Sequence, residues 1–150
     1  MISVQEQNFD VAAEIAAIDK GDGEIGAIVT FTGMVRGDDG LAAMTLEHYP
    51  GMTEKALSDI EAQAHARWPL QASRIIHRTG RLEPGDNIVL VITASAHRQA
   101  AFEAASFLMD YLKTEAPFWK LEERPDGAHW VEARKSDDAA RERWGKPAAE

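Results

Sequence analysis

The 150-residue chain contains no cysteine. This excludes every mechanism in which its own thiol acts as nucleophile, sulfur carrier or zinc ligand, and it removes any sign of an oxidising compartment. Sulfur chemistry on such a chain requires sulfur brought by another molecule. Basic residues are also in deficit. Sixteen Lys and Arg face 25 Asp and Glu, a formal net charge of −9, which argues against non-specific binding to nucleic acid or to an anionic membrane while leaving room for a local basic pocket. No apolar run approaches the roughly 20 residues of a membrane span. The longest is Ile88-Val-Leu-Val-Ile92, extended by Thr93 and Ala94. The first residues carry Glu6 and Asp10, without a basic start and apolar core, so no signal peptide is expected and the chain reads as a soluble cytoplasmic protein.

Internal repeats, low-complexity tracts and linkers are missing as well. With 45% hydrophobic residues, the composition fits one ordinary globular domain over residues 1–144, followed by a flexible tail at 145–150. A chain of this length buries roughly 68–70% of its unfolded surface, enough to hold a core without disulfides or a structural metal.

What is present predicts alternating helices and strands. Asp10 to Asp19 reads as a helix stopped by Lys20-Gly-Asp-Gly, and Ile25 to Val35 as a strand. Gly37-Asp-Asp-Gly40 is expected to turn this strand into a second one, Ala43 to Tyr49, as a hairpin with a mobile tip. A helix follows from Thr53 to about Trp68, then a strand over Ser73 to Gly80 and an apolar strand over Ile88 to Ala94, whose continuous hydrophobicity predicts burial on both faces. From Arg98 to Thr114 a helix is expected to bury Phe102, Ala105, Met109 and Leu112. It must end before Pro117, because the residue preceding a proline is pushed out of the helical region. Strands at Phe118 to Glu122 and Ala128 to Ala133, then a short helix from Asp137 to Trp144, complete an α+β architecture with a mostly antiparallel sheet and packed helices.

Several motifs lead nowhere. Gly21-Asp-Gly-Glu-Ile-Gly26 has the spacing of a dinucleotide loop, but it follows a helix and opens a strand, the reverse of the order that aims helix amides at a phosphate, and it carries two acids. A turn is expected instead. The five histidines, His48, His65, His77, His97 and His129, fall in no metal-ligand spacing, and no G-x-S-x-G elbow exists, so neither a metal nor a cofactor is expected.

Three places carry more interest. Asn87 to Phe102 holds no carboxylate and ends in His97-Arg98, where a strand hands over to a helix. Backbone amides, an arginine and a titratable histidine there fit an anion site, or, more plainly, a solvated arginine and a hydrogen-bonded histidine. Arg36 is the sole charge between Gly26 and Gly37, at a strand end, and reads either as a ligand contact or as a snorkelling edge residue. In Lys113-Thr-Glu-Ala-Pro-Phe-Trp-Lys120, the Pro117 turn can bring Lys120 back towards Lys113, and Lys120 and Glu122 share one face of a strand. Two cations near an apolar floor suit phosphate binding and proton transfer, whereas lysine at a helix C-terminus is also simply favourable.

Taken together, the segments Val29-Thr-Phe-Thr-Gly33, Val35-Arg36, Leu46-Glu-His-Tyr-Pro-Gly-Met-Thr-Glu-Lys-Ala56, Arg67-Trp-Pro69, Ile76-His-Arg78, Pro84-Gly85-Asp86, Ser95-Ala-His-Arg98, Phe102-Glu-Ala104, Met109-Asp-Tyr-Leu-Lys113, Ala116-Pro-Phe-Trp-Lys120 and Trp130-Val-Glu-Ala-Arg134 resemble the large, catalytic subunits of molybdopterin synthases. The resemblance implies an α/β hammerhead fold, a homodimer of large subunits, and a small ubiquitin-like subunit docked at each end to give a heterotetramer. It further implies that a thiocarboxylate on the small subunit's Gly-Gly tail supplies two sulfurs to cyclic pyranopterin monophosphate, making the dithiolene of molybdopterin. Carried over by position, the catalytic residues are Lys113 and Lys120. The substrate-binding residues are Met34, Val35, Arg36, His97, Arg98, Leu121, Glu122 and Arg134, together with the same two lysines. In this reading Arg36, Arg98 and Arg134 hold phosphate and pterin, and His97 positions substrate or moves a proton. Glu122 orients Lys120, and Arg134 reaches across the dimer. A non-catalytic pterin- or nucleotide-binding regulator and a scaffold with a vestigial pocket are the competing classes, against which the intact lysine pair argues.

Overall fold

The computed structural model describes residues 1–131 and 135–145. Its elements run β1 (Ile2–Gln5), α1 (Val11–Ile18), β2 (Ala27–Met34), β3 (Ala43–His48), α2 (Met52–Arg67), β4 (Leu70–Arg78), β5 (Gly80–Leu82), β6 (Asn87–Ser95), α3 (Arg98–Glu115), β7 (Phe118–Arg124), β8 (Gly127–Val131) and α4 (Lys135–Glu142). The strands form two four-stranded sheets, β1-β4-β6-β2 and β5-β3-β7-β8. Every pairing is antiparallel except β1 with β4, so the α+β, mostly antiparallel architecture expected from the pattern is what forms. Among the described residues no helix is long and apolar enough to cross a membrane.

β6 is the spine of the first sheet, and its unbroken apolar run has a direct cause. Val89 and Val91 pack into a core with Leu57, Ile60 and Ala64 of α2 and Ala105, Phe107 and Leu108 of α3. The alternate residues Leu90 and Ile92 pack with Phe9 and Ile76 against Val11, Ile15 and Ile18 on the opposite face. Each such fully buried side chain contributes about 1.5–3 kcal/mol through loss of apolar surface from water. On α3 the buried stripe comprises Ala101, Ala104, Ala105, Phe107, Leu108, Tyr111 and Leu112. Phe102, expected on that stripe, is 61% exposed. The Thr93 hydroxyl of β6 donates to the Ala101 carbonyl at 2.7 Å, which ties the first turn of α3 to the sheet at the fully buried Ala101 and leaves its neighbour Phe102 turned outwards.

The expected β2–β3 hairpin does not exist. β2 pairs with β6 along its whole length, and after an irregularity at Gly33/Met34 the chain leaves that sheet. The Val35 amide then donates to the Asp86 carbonyl at 2.8 Å, and β3 emerges in the second sheet between β5 and β7. The strand expected from Ser73 to Gly80 is likewise divided. β4 ends at Arg78, and Gly80, at φ 88°, supplies the left-handed turn through which β5 enters the other sheet. β1, which the sequence pattern did not reveal, adds a short parallel edge to β4.

The glycine motif at residues 21–26 is a turn between α1 and β2, as expected. The Asp19 and Asp22 carboxylates accept from the Gly21 and Glu24 amides, so the loop supplies its own anions. Gly26 is required for another reason: a Cβ there would lie 2.1 Å from the Ala96 carbonyl oxygen.

Candidate active site

Between the two sheets lies a cavity of about 500 Å³. Its apolar floor includes Leu41, Met44 and Leu46 from the β3 region, Ile88 from β6, and Leu112, Ala116 and Phe118 around the end of α3. Several of these belong to a small core with Val35 and Leu82, which makes the floor rigid. The end of α3 and the start of β7 are tied to α2 by one hydroxyl. Thr53 Oγ1 accepts from the Tyr49 amide and donates to the Pro117 carbonyl, each at 2.9 Å, and its side chain is fully buried. This fixes the turn that carries the chain from Lys113 to Lys120.

Both lysines line the cavity, Lys113 from the last turn of α3 and Lys120 from β7. Met34, Arg36 and Glu122 join them. Lys120 Nζ lies 4.0 Å from Glu122 Oε2, on the shared strand face that alternation requires. Arg36, largely exposed, pairs with Asp38 at 2.9 Å.

Other candidates lie elsewhere. Val35 is buried in the small core beneath the site and does not line the cavity. Leu121 lies between Thr45 and Trp130 on β7, outside the lining. His97 and Arg98 are exposed at the start of α3. Met34 pairs with Asn87 at the beginning of β6, whereas His97 follows its other end at Ser95. Eight steps of strand put about 26 Å between these ends, so the chain does not bring its own His97 and Arg98 to its lysines. Arg134 lies outside the described residues.

Three polar residues of the cavity were not recognised in the sequence. Arg124 is the first. Its guanidinium pairs with Glu122 at 3.1 Å and with Asp38 at 3.6 Å, and it donates to the Asp38 and Asp39 carbonyls at 3.1 and 3.2 Å. It thereby fastens the loop bearing Arg36 to β7. The i, i+2, i+4 pattern of Lys120, Glu122 and Arg124 was the available signal. Asp38 is the second. Burial alone would raise its carboxyl pKa, but the charge and hydrogen bond of Arg36, with Arg124 behind it, hold the group below its ordinary range.

His77 is the third. It sits on β4, is only 4% exposed, and stacks on Phe118 with ring centroids 3.8 Å apart and planes 19° from parallel. Burial pushes its pKa down from 6.5 to about 4, the hydrogen bond to Arg78 opposing this and the charges of Lys113 and His48 adding to it. The unfolded chain therefore binds a proton that the folded chain refuses between these two values. The stability contributed by a neutral His77 is complete above pH 6.5 and is lost as the pH falls towards 4, by about 3 kcal/mol. His77→Gln removes this titration. Denaturant unfolding of both proteins at pH 7 and pH 4.5 checks it; identical pH slopes would refute the assignment.

In total, four cations and two carboxylates line one cavity of a chain whose net charge is −9. Such a cavity is built to attract an anion and to stabilise negative charge that develops inside it. Among the described residues no group of His, Asp or Glu is arranged to hold a metal ion.

Comparison with known proteins gives the family. Residues 4–115 match the family model described as MoaE protein. The molybdopterin synthase catalytic subunit of Mesorhizobium japonicum is 58% identical over 146 residues, covering 95% of this chain and 92% of that protein. The structure of the molybdopterin biosynthesis MoaE protein from Burkholderia ambifaria superposes with a TM-score of 0.85 at 54% identity, covering 97% of this chain and 98% of that one. A Helicobacter pylori structure, a complex of subunits 1 and 2 of molybdopterin-converting factor, shares the fold at a TM-score of 0.74 and 18% identity, over 89% and 91% of the two chains. The chain belongs to the MoaE protein family, among whose members are molybdopterin synthase catalytic subunits.

Proposed function

We propose that the chain is the sulfur-transferring catalytic subunit of a molybdopterin synthase. It binds cyclic pyranopterin monophosphate in the cavity between the sheets, and two sulfurs from a thiocarboxylated small subunit become the dithiolene of molybdopterin. The observation that carries this reading is the pairing of Lys113 and Lys120 in one cation-rich cavity of an acidic protein. Lys113 is the central catalytic group, stabilising negative charge or passing a proton as sulfur adds. Lys120, held by Glu122, supports it near the arriving carboxyl terminus. Arg36 holds the phosphate with a planar fork suited to oxyanions.

The small-subunit partner is supported by the Helicobacter pylori neighbour, which is itself a two-subunit complex. The distance of about 26 Å between the ends of β6 supports assigning His97 and Arg98 to the site of a second protomer, within a homodimer that carries two small subunits. Arg134 is assigned there on the sequence resemblance alone.

The test is to mix the purified chain with thiocarboxylated small subunit and cyclic pyranopterin monophosphate and assay the dithiolene product. Formation of product is expected, and its absence from a folded, complexed mixture overturns the reading. Within the same assay, Arg36→Ala is expected to weaken precursor binding about tenfold, because a charge-assisted hydrogen bond is lost from a largely solvated site. Arg98→Ala should follow the same ranking. Affinity for the small subunit should change less in both, and titrations showing the reverse would move these arginines to the protein interface.

A further inference from the structure

The arginines and lysines of the cavity all donate hydrogen bonds, and its two carboxylates are engaged with Arg36, Arg124 and Lys120. A fused pterin also carries N–H groups, and these need acceptors once water is excluded. His77 supplies one by geometry. Its Nδ1 lies 2.8 Å from the Arg78 carbonyl oxygen, which can only accept, so Nδ1 carries the hydrogen. The stack on Phe118 holds the ring plane. Nε2 is therefore the lone-pair nitrogen of an almost fully buried residue that lines the cavity, and no hydrogen bond reaches it among the described residues. An accessible lone pair on a ring whose plane and tautomer are fixed, at the wall of a ligand cavity, offers a ready acceptor to a donor arriving with the ligand.

We propose that His77 is a specificity-determining residue whose Nε2 accepts a hydrogen bond from an N–H group of the bound pterin, selecting a donor-bearing ring in a cavity whose other acceptors, Asp38 and Glu122, are paired with its cations. This rests on the reading of the cavity as a pterin site. The low proton affinity of the ring is consistent with it, since burial, Lys113 and His48 all keep His77 neutral at physiological pH. The site thus separates two tasks. Cations take the phosphate, and an uncharged acceptor reads the ring.

The experiment uses the complex of the chain with its small subunit, labelled with ¹⁵N-histidine, and the His77→Gln variant to assign the resonance. In the free complex the His77 Nε2 signal should lie in the unprotonated range and Nδ1 in the protonated range. Saturating cyclic pyranopterin monophosphate should move Nε2 towards the protonated range and leave Nδ1 in place. In parallel, His77→Leu, which keeps an apolar body against Phe118, should raise KM for the precursor roughly tenfold with a smaller change in kcat. His77→Gln returns an acceptor near the position of Nε2 and should recover most of that loss. Precursor binding is followed independently by titration. If the precursor binds, with Arg36→Ala weakening it, while Nε2 stays still and His77→Leu keeps the original KM, the His77 assignment alone falls. Failure of the wild-type complex to bind precursor would remove the pterin reading and this inference with it.

Discussion

A small subunit shortened by its two terminal glycines is expected to bind this chain and yield no product. The chain has no cysteine, so it has no thiol on which sulfur could wait, and every sulfur must come from outside. In the proposed reaction the donor is the thiocarboxylate at the end of a flexible tail. Ordering such a tail on binding costs roughly 1–2 kcal/mol of backbone entropy per residue, most of all for glycine, so most affinity must come from the globular docking surface. Removing the glycines should therefore leave a measurable complex. The same complex assembled from the plain carboxylate tail should also be inactive, since docking does not require the sulfur atom, and the thiocarboxylate should be consumed at two tails per product. Size-exclusion chromatography and product analysis together check this. Turnover with inorganic sulfide alone, at the rate of the partner-dependent reaction, would remove the protein tail as the required donor.

Lys113→Ala is expected to lower turnover 100–1000-fold, the effect of losing one preorganised stabiliser of developing charge, about 2.7–4 kcal/mol. Its fold should persist, because the side chain is exposed in the last turn of α3 while the neighbouring Leu112 carries the packing. Equal thermal unfolding with collapsed kcat is the expected pair of results. Near-normal turnover by the folded variant would end the assignment. Lys120→Ala should be impaired as well, by a smaller factor, since Glu122 already offsets part of that charge.

Local chemistry made much of this molecule legible. The apolar run at residues 88–94 announced a strand buried on both faces, and Pro117 marked the end of α3 and the turn that returns Lys120 to Lys113. Partner choice between strands was not local. Nothing in Gly37-Asp-Asp-Gly40 indicates that β2 continues in one sheet and β3 in another, because that outcome depends on β6 and β7, which come much later in the chain. Phe102 failed for a related reason. An apolar residue at the right period lost its place on the buried face to its neighbour Ala101, whose carbonyl is held by the Thr93 hydroxyl of β6. His77 was hidden because a lone histidine in an apolar strand usually satisfies itself within the core, and only the approach of Phe118 and Lys113 from elements distant in sequence gives it a role. His97 and Arg98 were visible as residues but not as neighbours of any particular site, since a strand separates them from the lysines by its full length.

The ladder of charges from Arg36 through Asp38, Arg124 and Glu122 to Lys120 gives the cavity mouth the character of an ion exchanger rather than an empty socket. If Arg36 holds the substrate phosphate as proposed, the phosphate does not meet a bare guanidinium; it takes over from the Asp38 carboxylate, which keeps Arg124 as a partner when displaced. Affinity then reflects the difference between two anions rather than the full attraction of one. Departure is eased by the same arrangement, because the internal pair re-forms as product leaves, and a site that must release an anion after each round gains from holding its own replacement within reach.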